Sequence, residues 1–151
     1  MLKYYNYDIV FQEVPDEVSL AINLTNCPNH CEQCHSPHLW KDEGTVLDEA
    51  EMDRLVARYG SDITCVCIMG GDAERNLVER LATHLRGTTK LKVAWYSGRM
   101  LHPANPQDFD YLKLGPYIPS KGSLKNRDTN QRLLRRNGIE WEDITSRFWR
   151  K

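Results

Sequence analysis

Short apolar runs and longer amphipathic stretches alternate along the chain. Apolar runs of strand length with β-branched and aromatic residues recur five times, and they predict strands over residues 7–12, 18–24, 63–69, 91–96 and 110–114. Two stretches with apolar positions three and four apart predict amphipathic helices. The first helix covers residues 47–59, with Asp48 near its start and Gly60 as its stop, and the second ends at Gly87.

The remaining segments are less regular. Pro103 and Pro106 discourage a long helix, so residues 100–108 are predicted to form a loop. Residues 130–137 are predicted to form a short helix with Thr129 as its cap. The pattern over residues 139–149 fits either a strand or a packed tail, and the two alternatives stay open.

The order strand, helix, strand, helix, strand is typical of crossover units in a parallel sheet. The 151 residues suit one domain spanning 1–151, but a complete eight-unit barrel takes roughly 250 residues. We therefore expect the α/β class and a truncated, open (β/α) partial barrel with a mainly parallel sheet. The segments that follow strands would then meet at one edge, where ligands bind in such folds. They are the cysteine-rich loop, Gly70-Gly71-Asp72, Ser97-Gly98 and Gly115-Pro116-Tyr117.

Composition and charge narrow the function classes. The net charge of −1 predicts no general attraction to nucleic acid or to a membrane surface, and no apolar run reaches bilayer length. No signal peptide is recognised at the start, and an odd count of five cysteines favours reduced thiols, a metal site and the cytoplasm. Residues 120–151 carry nine Lys/Arg against four acids, which predicts a solvated surface or a docking site for an acidic partner.

Three cysteines lie in one loop at the spacing Cys-x3-Cys-x2-Cys: Cys27, Cys31 and Cys34. Three thiolates can hold three irons of a 4Fe–4S cluster and leave the fourth iron open to a ligand with an amine and a carboxylate. The alternative is a structural zinc site with His30, His35 or His38 as the fourth ligand, but no second ligand pair follows at a suitable spacing. Cys65 and Cys67 share one face of a predicted buried strand, which favours a role as small core residues.

The cysteine loop resembles the signature of the radical S-adenosylmethionine (SAM) superfamily. Gly70-Gly71-Asp72 is similar to its glycine-rich SAM motif, although members more often carry Glu at the position of Asp72. Thr129-Asn130-Gln131-Arg132 resembles a C-terminal signature of the anaerobic ribonucleoside-triphosphate reductase activating proteins. The resemblance extends from about residue 18 to about residue 132, and it implies a partial barrel of the radical SAM type.

The resemblance also implies a chemistry and partners. SAM would bind the open iron through its amino and carboxylate groups, and a 5′-deoxyadenosyl radical would remove hydrogen from a glycine of the reductase large subunit. A low-potential electron donor would be needed, and no side chain would act as acid or base. Asp72 is expected to face the SAM ammonium or to cap the next helix. The expected SAM-binding residues are Gln33, Cys34, His35, Gly70, Gly71, Asp72, Tyr96 and Ser97.

Several alternatives remain at this point. Gln33 stands where many members have an aromatic residue against adenine, so adenine contact is expected from the backbone of residues 33–35, or from either Tyr96 or Trp95. The Thr129–Arg132 motif is a candidate wall of the groove that would receive the reductase. Rival functions are a radical SAM enzyme for a small molecule, and a non-enzymatic zinc or iron–sulfur module.

Overall fold

The structure is a computed structural model that describes residues 1–26 and 44–149. Within these residues the frame is one open sheet of eight strands with two helices, in the strand order β3-β1-β2-β4-β5-β6-β7-β8. The strands are β1 (Lys3–Val10), β2 (Ser19–Leu24), β3 (Thr45–Val46), β4 (Cys65–Met69), β5 (Lys92–Tyr96), β6 (Tyr111–Leu114), β7 (Arg132–Asn137) and β8 (Glu140–Asp143). The helices are α1 (Glu49–Tyr59) and α2 (Arg75–Thr88).

The four central strands form the parallel part of the sheet. β2 pairs with β4, β4 with β5, and β5 with β6, all in parallel. The flanks are antiparallel, because β1 pairs with β2 and β3, while β7 pairs with β6 and β8. The expected α/β class is confirmed. The expectation of a mainly parallel sheet holds only for the four central strands. Within the described residues the sheet is open, with β3 and β8 as its two edge strands.

The central strands are apolar on both faces because each face packs against its own core, as in covered parallel sheets. One face packs under α1 and α2, and Ile22, Ile68 and Trp95 are fully buried there. The opposite face packs under the 11–18 segment between β1 and β2, where Val14 is fully buried among Ala21, Cys67 and neighbouring residues. The sheet is therefore covered on both faces by segments of the same chain.

The helix predictions hold, with one difference at the end of α2. Asp48 caps α1 by accepting a hydrogen bond from the Glu51 amide at 2.9 Å, as the sequence predicts. The helix α2, however, runs through Gly87 to Thr88, and Thr89 is its C-cap. The expectation that Gly87 stops the helix is wrong, because the backbone there stays helical.

Replacing Gly87 by alanine is expected to stabilise the protein by about 0.5–1 kcal/mol, because alanine loses less conformational entropy inside a helix. A Cβ at this position would have no neighbour within 4 Å. Urea unfolding measures the change in the free energy of unfolding. Gly71→Ala is the matched control and should destabilise, because its Cβ would lie 2.4 Å from Cγ2 of Val78 at φ +88. A destabilised Gly87→Ala protein would contradict the helical assignment.

The C-terminal prediction of a helix over residues 130–137 is wrong. This stretch forms β7, which pairs antiparallel with β6, so Thr129 caps no helix. Leu133 and Leu134 pack against opposite faces of the sheet, as alternation in a strand requires. For residues 139–149 the sequence left a strand and a packed tail as alternatives, and the structure has strand β8 followed by a 3₁₀ turn (Thr145–Trp149). No helix among the described residues combines the length and apolarity needed to cross a lipid bilayer.

The Glu51 side chain links α1 to β1 through a hydrogen bond from Tyr4, and it should make the free energy of unfolding depend on pH in the acid range. Arg54 donates two hydrogen bonds to its carboxylate and Tyr4 donates one, and these bonds lower the pKa of Glu51 from 4.5 to about 2. Because the folded-state pKa is lowered, this stabilisation is complete above pH 4.5 and is lost as the pH falls toward 2. Unfolding of the wild type and Glu51→Gln should therefore differ at pH 7 and converge near pH 2. The exposed-site control Glu140→Gln should follow the wild type at both pH values.

Candidate functional site

The carboxyl ends of β2, β4, β5 and β6 lie at one edge of the sheet, here called the carboxyl edge. Asn23, Met69, Tyr96 and Lys113 pair in register across these strands. In-register residues of parallel strands point to the same face, and three strand spacings of about 4.8 Å place the ends of this row about 14 Å apart. The expectation that the segments following these strands share one edge is confirmed for the described residues.

The segment that carries the three cysteines has described residues on both sides. It leaves from the end of β2, where the amide of Thr25 donates to the carbonyl of Lys3 at 2.9 Å and Asn26 has φ 57. The described chain resumes at Gly44, just before β3, which pairs with β1. The predicted site residues Cys27, Cys31, Gln33, Cys34 and His35 lie outside the described residues.

Gly70 and Gly71 pack against the strand that carries the cysteine loop. Both have positive φ, 107 and 88, which glycine adopts without strain. A Cβ on Gly71 would lie 2.9 Å from Cδ1 of Leu24, the last residue of β2. The Gly70 carbonyl accepts a hydrogen bond from Nε1 of Trp95 at 2.7 Å. The pair therefore lets the ends of β4 and β2 approach closely.

The Asp72 side chain is buried, and its carboxylate accepts hydrogen bonds from other residues of the chain. Its Oδ1 accepts hydrogen bonds from the Ser97 hydroxyl at 2.6 Å and from the Arg75 guanidinium at 2.7 Å, while Oδ2 accepts from the Gly98 amide at 2.8 Å. The Arg75 guanidinium also lies 4.3 Å from the ring centre of Trp95. The alternative that Asp72 caps the next helix is wrong, because Asp72 lies in a 3₁₀ turn (Asp72–Glu74) before α2, and Glu74 occupies the N-cap position of that helix. This network joins the start of α2 to the end of β5.

A cavity of about 590 Å³ opens beside the carboxyl edge, on the face of the sheet opposite the helices. Met69, Tyr96 and Lys113, three members of the in-register row, line it together with Gln131 from the start of the last hairpin. Residues that precede β2 or follow β6 complete the wall: Gln12, Glu13, Tyr117, Ser123, Leu124, Lys125 and Phe148. A cavity of this size and mixed polarity suits one medium-sized organic ligand.

Trp95 and Tyr96 face opposite sides of the sheet, as strand alternation requires. Trp95 is fully buried on the helix side and stacks on Phe109 with ring centroids 5.5 Å apart. Tyr96 points into the cavity, where its hydroxyl donates to the carbonyl of Glu13. Loss of contact with water raises the pKa of Tyr96 well above 10, so its hydroxyl stays protonated.

Lys113 supplies a cation to the cavity, and the sequence reasoning missed it. Its ammonium donates to the carbonyls of Gly115 at 3.0 Å and Ser97 at 3.3 Å, and it lies 5.9 Å from the ring centre of Tyr96. The sequence did contain an indication of this role. A lysine interrupts the apolar run of a central parallel strand, where burying a charge carries a large free-energy cost. Met69 also lines the cavity, but nothing in the sequence around it indicated this.

The Thr129-Asn130-Gln131-Arg132 motif holds the loop that follows β6. The Thr129 hydroxyl donates to the Gly122 carbonyl at 3.1 Å, and the Asn130 side chain donates to the Pro116 carbonyl at 3.1 Å. The Gln131 amide group donates to the Gly115 carbonyl at 3.3 Å and lines the cavity. Arg132 pairs instead with Asp143 at 3.5 Å. The motif therefore shapes one wall of the cavity.

The two cysteines in the described residues are core side chains. Cys65 and Cys67 are free, fully buried and on the same face of β4, as predicted. Burial raises the pKa of Cys65 to about 12 and that of Cys67 well above 9, so neither is available as a thiolate. The described ranges also contain no cluster of three His, Cys, Asp or Glu arranged to hold a metal ion. The other three cysteines of the sequence, Cys27, Cys31 and Cys34, lie outside the described residues.

Comparison with known proteins assigns a family. Residues 18–116 match the family described as 4Fe-4S single cluster domain, a range that covers the cysteine loop and the strands β2, β4, β5 and β6. No curated protein matches the chain, and no solved structure matches it. The matched range covers well over half of the 151 residues and indicates a 4Fe–4S cluster. This protein belongs to the 4Fe-4S single cluster domain family.

Proposed function

We propose that this protein is an iron–sulfur activase that uses SAM to install a glycyl radical on the large subunit of anaerobic ribonucleoside-triphosphate reductase. The observation that carries the proposal is the cavity beside the carboxyl edge, which is lined by Met69, Tyr96 and Lys113. Met69 pairs in register with Asn23 of the neighbouring strand β2, four residues before Cys27. A ligand in this cavity would lie beside the strand that leads into the cysteine loop.

Cys27, Cys31 and Cys34 are the proposed cluster ligands. The family match indicates a 4Fe–4S cluster, and burial withdraws the other two cysteines of the chain from ligation. Three thiolates leave one iron of such a cluster without a protein ligand. Held by these thiolates and reduced, such a cluster would supply the one electron needed to cleave SAM into methionine and a 5′-deoxyadenosyl radical, and that radical would take hydrogen from a glycine Cα.

The cavity residues would bind and orient SAM. The Lys113 ammonium suits the SAM carboxylate, because a cation held in a partly enclosed site attracts an anion more strongly than it would in water. Tyr96 and Met69 offer apolar surface for the ribose and adenine. Gly70 and Gly71 would contribute through the backbone, since neither has a side chain to keep a ligand away.

Asp72 has a different part in this proposal from the one that the resemblance implies. Its two carboxylate oxygens already accept three hydrogen bonds from Arg75, Ser97 and Gly98. We assign Asp72 and Ser97 to positioning, because their network holds the ends of β4 and β5 against each other. The SAM ammonium would then be bound by groups other than the Asp72 carboxylate.

The decisive experiment combines this protein, reconstituted with iron and sulfide without oxygen, with SAM, dithionite and the reductase large subunit. We expect 5′-deoxyadenosine in the products and the electron paramagnetic resonance signal of a glycyl radical on the reductase. Omitting SAM is the control and should abolish both. Formation of 5′-deoxyadenosine without a glycyl radical would favour a small-molecule substrate, and a colourless zinc protein that leaves SAM intact would end the proposal.

A further inference from the structure

Four of the seven C-terminal cations that the structure describes pair with carboxylates of the same chain. Salt bridges join Arg132 to Asp143, Arg135 to Glu142, Arg136 to Asp110 and Arg147 to Asp16. The excess of basic residues beyond Ser120 is therefore not a uniform basic surface. Charge that is already paired offers little net attraction to a partner.

Three cations form an exception. Lys121, Lys125 and Arg127 are exposed, and none of them has an ion pair within the part of the chain that the structure describes. They lie within seven residues of one another in the loop between β6 and β7, here called the basic loop (residues 121–127). The adjacent Asp128 is the one acid in the same loop region, so a local excess of positive charge remains.

The basic loop is held in place by several contacts. The Gly122 amide donates to the Ile118 carbonyl at 2.9 Å, and the Gly122 carbonyl accepts from the Thr129 hydroxyl. On the other side, the indole of Trp149 donates to the Leu124 carbonyl at 3.0 Å, and the Arg127 guanidinium lies 5.9 Å from the Trp149 ring centre. These bonds fix the backbone of the loop, so its cations extend from defined backbone positions.

The same loop lies at the opening of the cavity. Lys125 lines the 590 Å³ cavity beside the carboxyl edge, and it also lines a second, more polar cavity of about 440 Å³. The two cavities share Gln12, Lys125 and Phe148, and the second one continues to Asp16 and Arg147. A groove therefore leads outward from the cavity beside the carboxyl edge, past Lys125 of the basic loop.

We propose that this groove and the basic loop bind an acidic, extended segment of the protein that receives the radical. This inference rests on the function proposed above, because it places the polypeptide substrate of that reaction. The cations at the mouth would attract the acidic residues, and the groove would guide the segment toward the cavity. Electrostatic complementarity of this kind raises the association rate and weakens with added salt.

The test replaces the two cations that do not line the cavity, in the double variant Lys121→Gln/Arg127→Gln. Arg80→Gln/Lys90→Gln is the matched control, because it removes the same charge from exposed residues of α2 and the segment after it. Each protein is reconstituted and mixed with the reductase large subunit, with dithionite as reductant so that no protein electron donor takes part. Affinity for the reductase, glycyl radical yield and SAM cleavage without reductase are measured at low and high salt.

We expect the basic-loop variant to bind the reductase about fivefold to tenfold more weakly at low salt, with the difference shrinking near 0.5 M salt. Its SAM cleavage without reductase should equal that of the control. Equal reductase affinity in the two variants, alongside intact SAM cleavage, would overturn the docking inference alone. Absence of SAM cleavage in the unmodified protein would instead overturn the proposed function.

Discussion

Replacing any one of Cys27, Cys31 and Cys34 by alanine should remove most of the bound iron and abolish SAM cleavage. A thiolate ligand cannot be supplied from elsewhere, since Cys65 and Cys67 are buried and protonated in the core. Iron content, visible absorption and 5′-deoxyadenosine formation after anaerobic reconstitution measure the effect. The expected loss of SAM cleavage is complete, because the proposed reaction depends on the cluster.

The matched control for this experiment is Cys67→Ala. Cys67 pairs in register with Ala21 and Ala94, so a third alanine in this row removes one sulfur atom from a tightly packed layer. We expect a loss of about 1 kcal/mol in the free energy of unfolding and an unchanged iron content. Loss of iron in Cys67→Ala, or full iron in all three loop variants, would contradict the assignment of the ligands.

The second large effect is expected for Asp72→Asn, which should lower the free energy of unfolding by about 3 kcal/mol. The Arg75 guanidinium, whose side chain is 14% exposed, would lose its carboxylate partner while remaining largely buried. Urea unfolding of the cluster-free protein measures this loss without involving SAM. A double-mutant cycle with Arg75→Met should show coupling between the two side chains of at least about 1 kcal/mol.

The same variant separates two roles for Asp72. If the carboxylate positions the ends of β4 and β5, stability falls in the absence of any ligand. If it instead contacts the SAM ammonium, unfolding of the cluster-free protein should change by less than about 1 kcal/mol while SAM affinity falls. The second result would restore the role that the resemblance implies and contradict the positioning role.

From the sequence alone, residues 120–151 were predicted to form either a solvated surface or a docking site for an acidic partner, and the structure shows how much of their charge is paired. The basic stretch after residue 120 contains nine cations, but four of them are paired with Asp16, Asp110, Glu142 and Asp143. Such pairing was invisible in the sequence, because the partners lie between seven and 131 residues away. What remains in the described chain is a short loop of three exposed cations at the opening of a cavity.

Local patterns were sufficient for most elements of the fold. The apolar runs of β2, β4, β5 and β6 and the amphipathic faces of α1 and α2 all lie close to their predicted positions. The cap that Asp48 forms on α1 could likewise be predicted from the sequence, because it joins two residues only three positions apart. Sequence reasoning failed at β7, where pairing with β6 decided the conformation of a stretch that has no strong local preference.

The sequence by itself was enough to identify the three proposed sulfur donors, the glycine pair and the alternation of strands and helices, because each depends on residue types within a few positions of one another. The tertiary structure alone decided the cavity, in which Met69, Tyr96 and Lys113 meet from three separate strands. It also decided that Asp72 binds Arg75, Ser97 and Gly98. The physical reason is register: hydrogen bonding between parallel strands sets which distant side chains share a face, and no local pattern encodes that alignment.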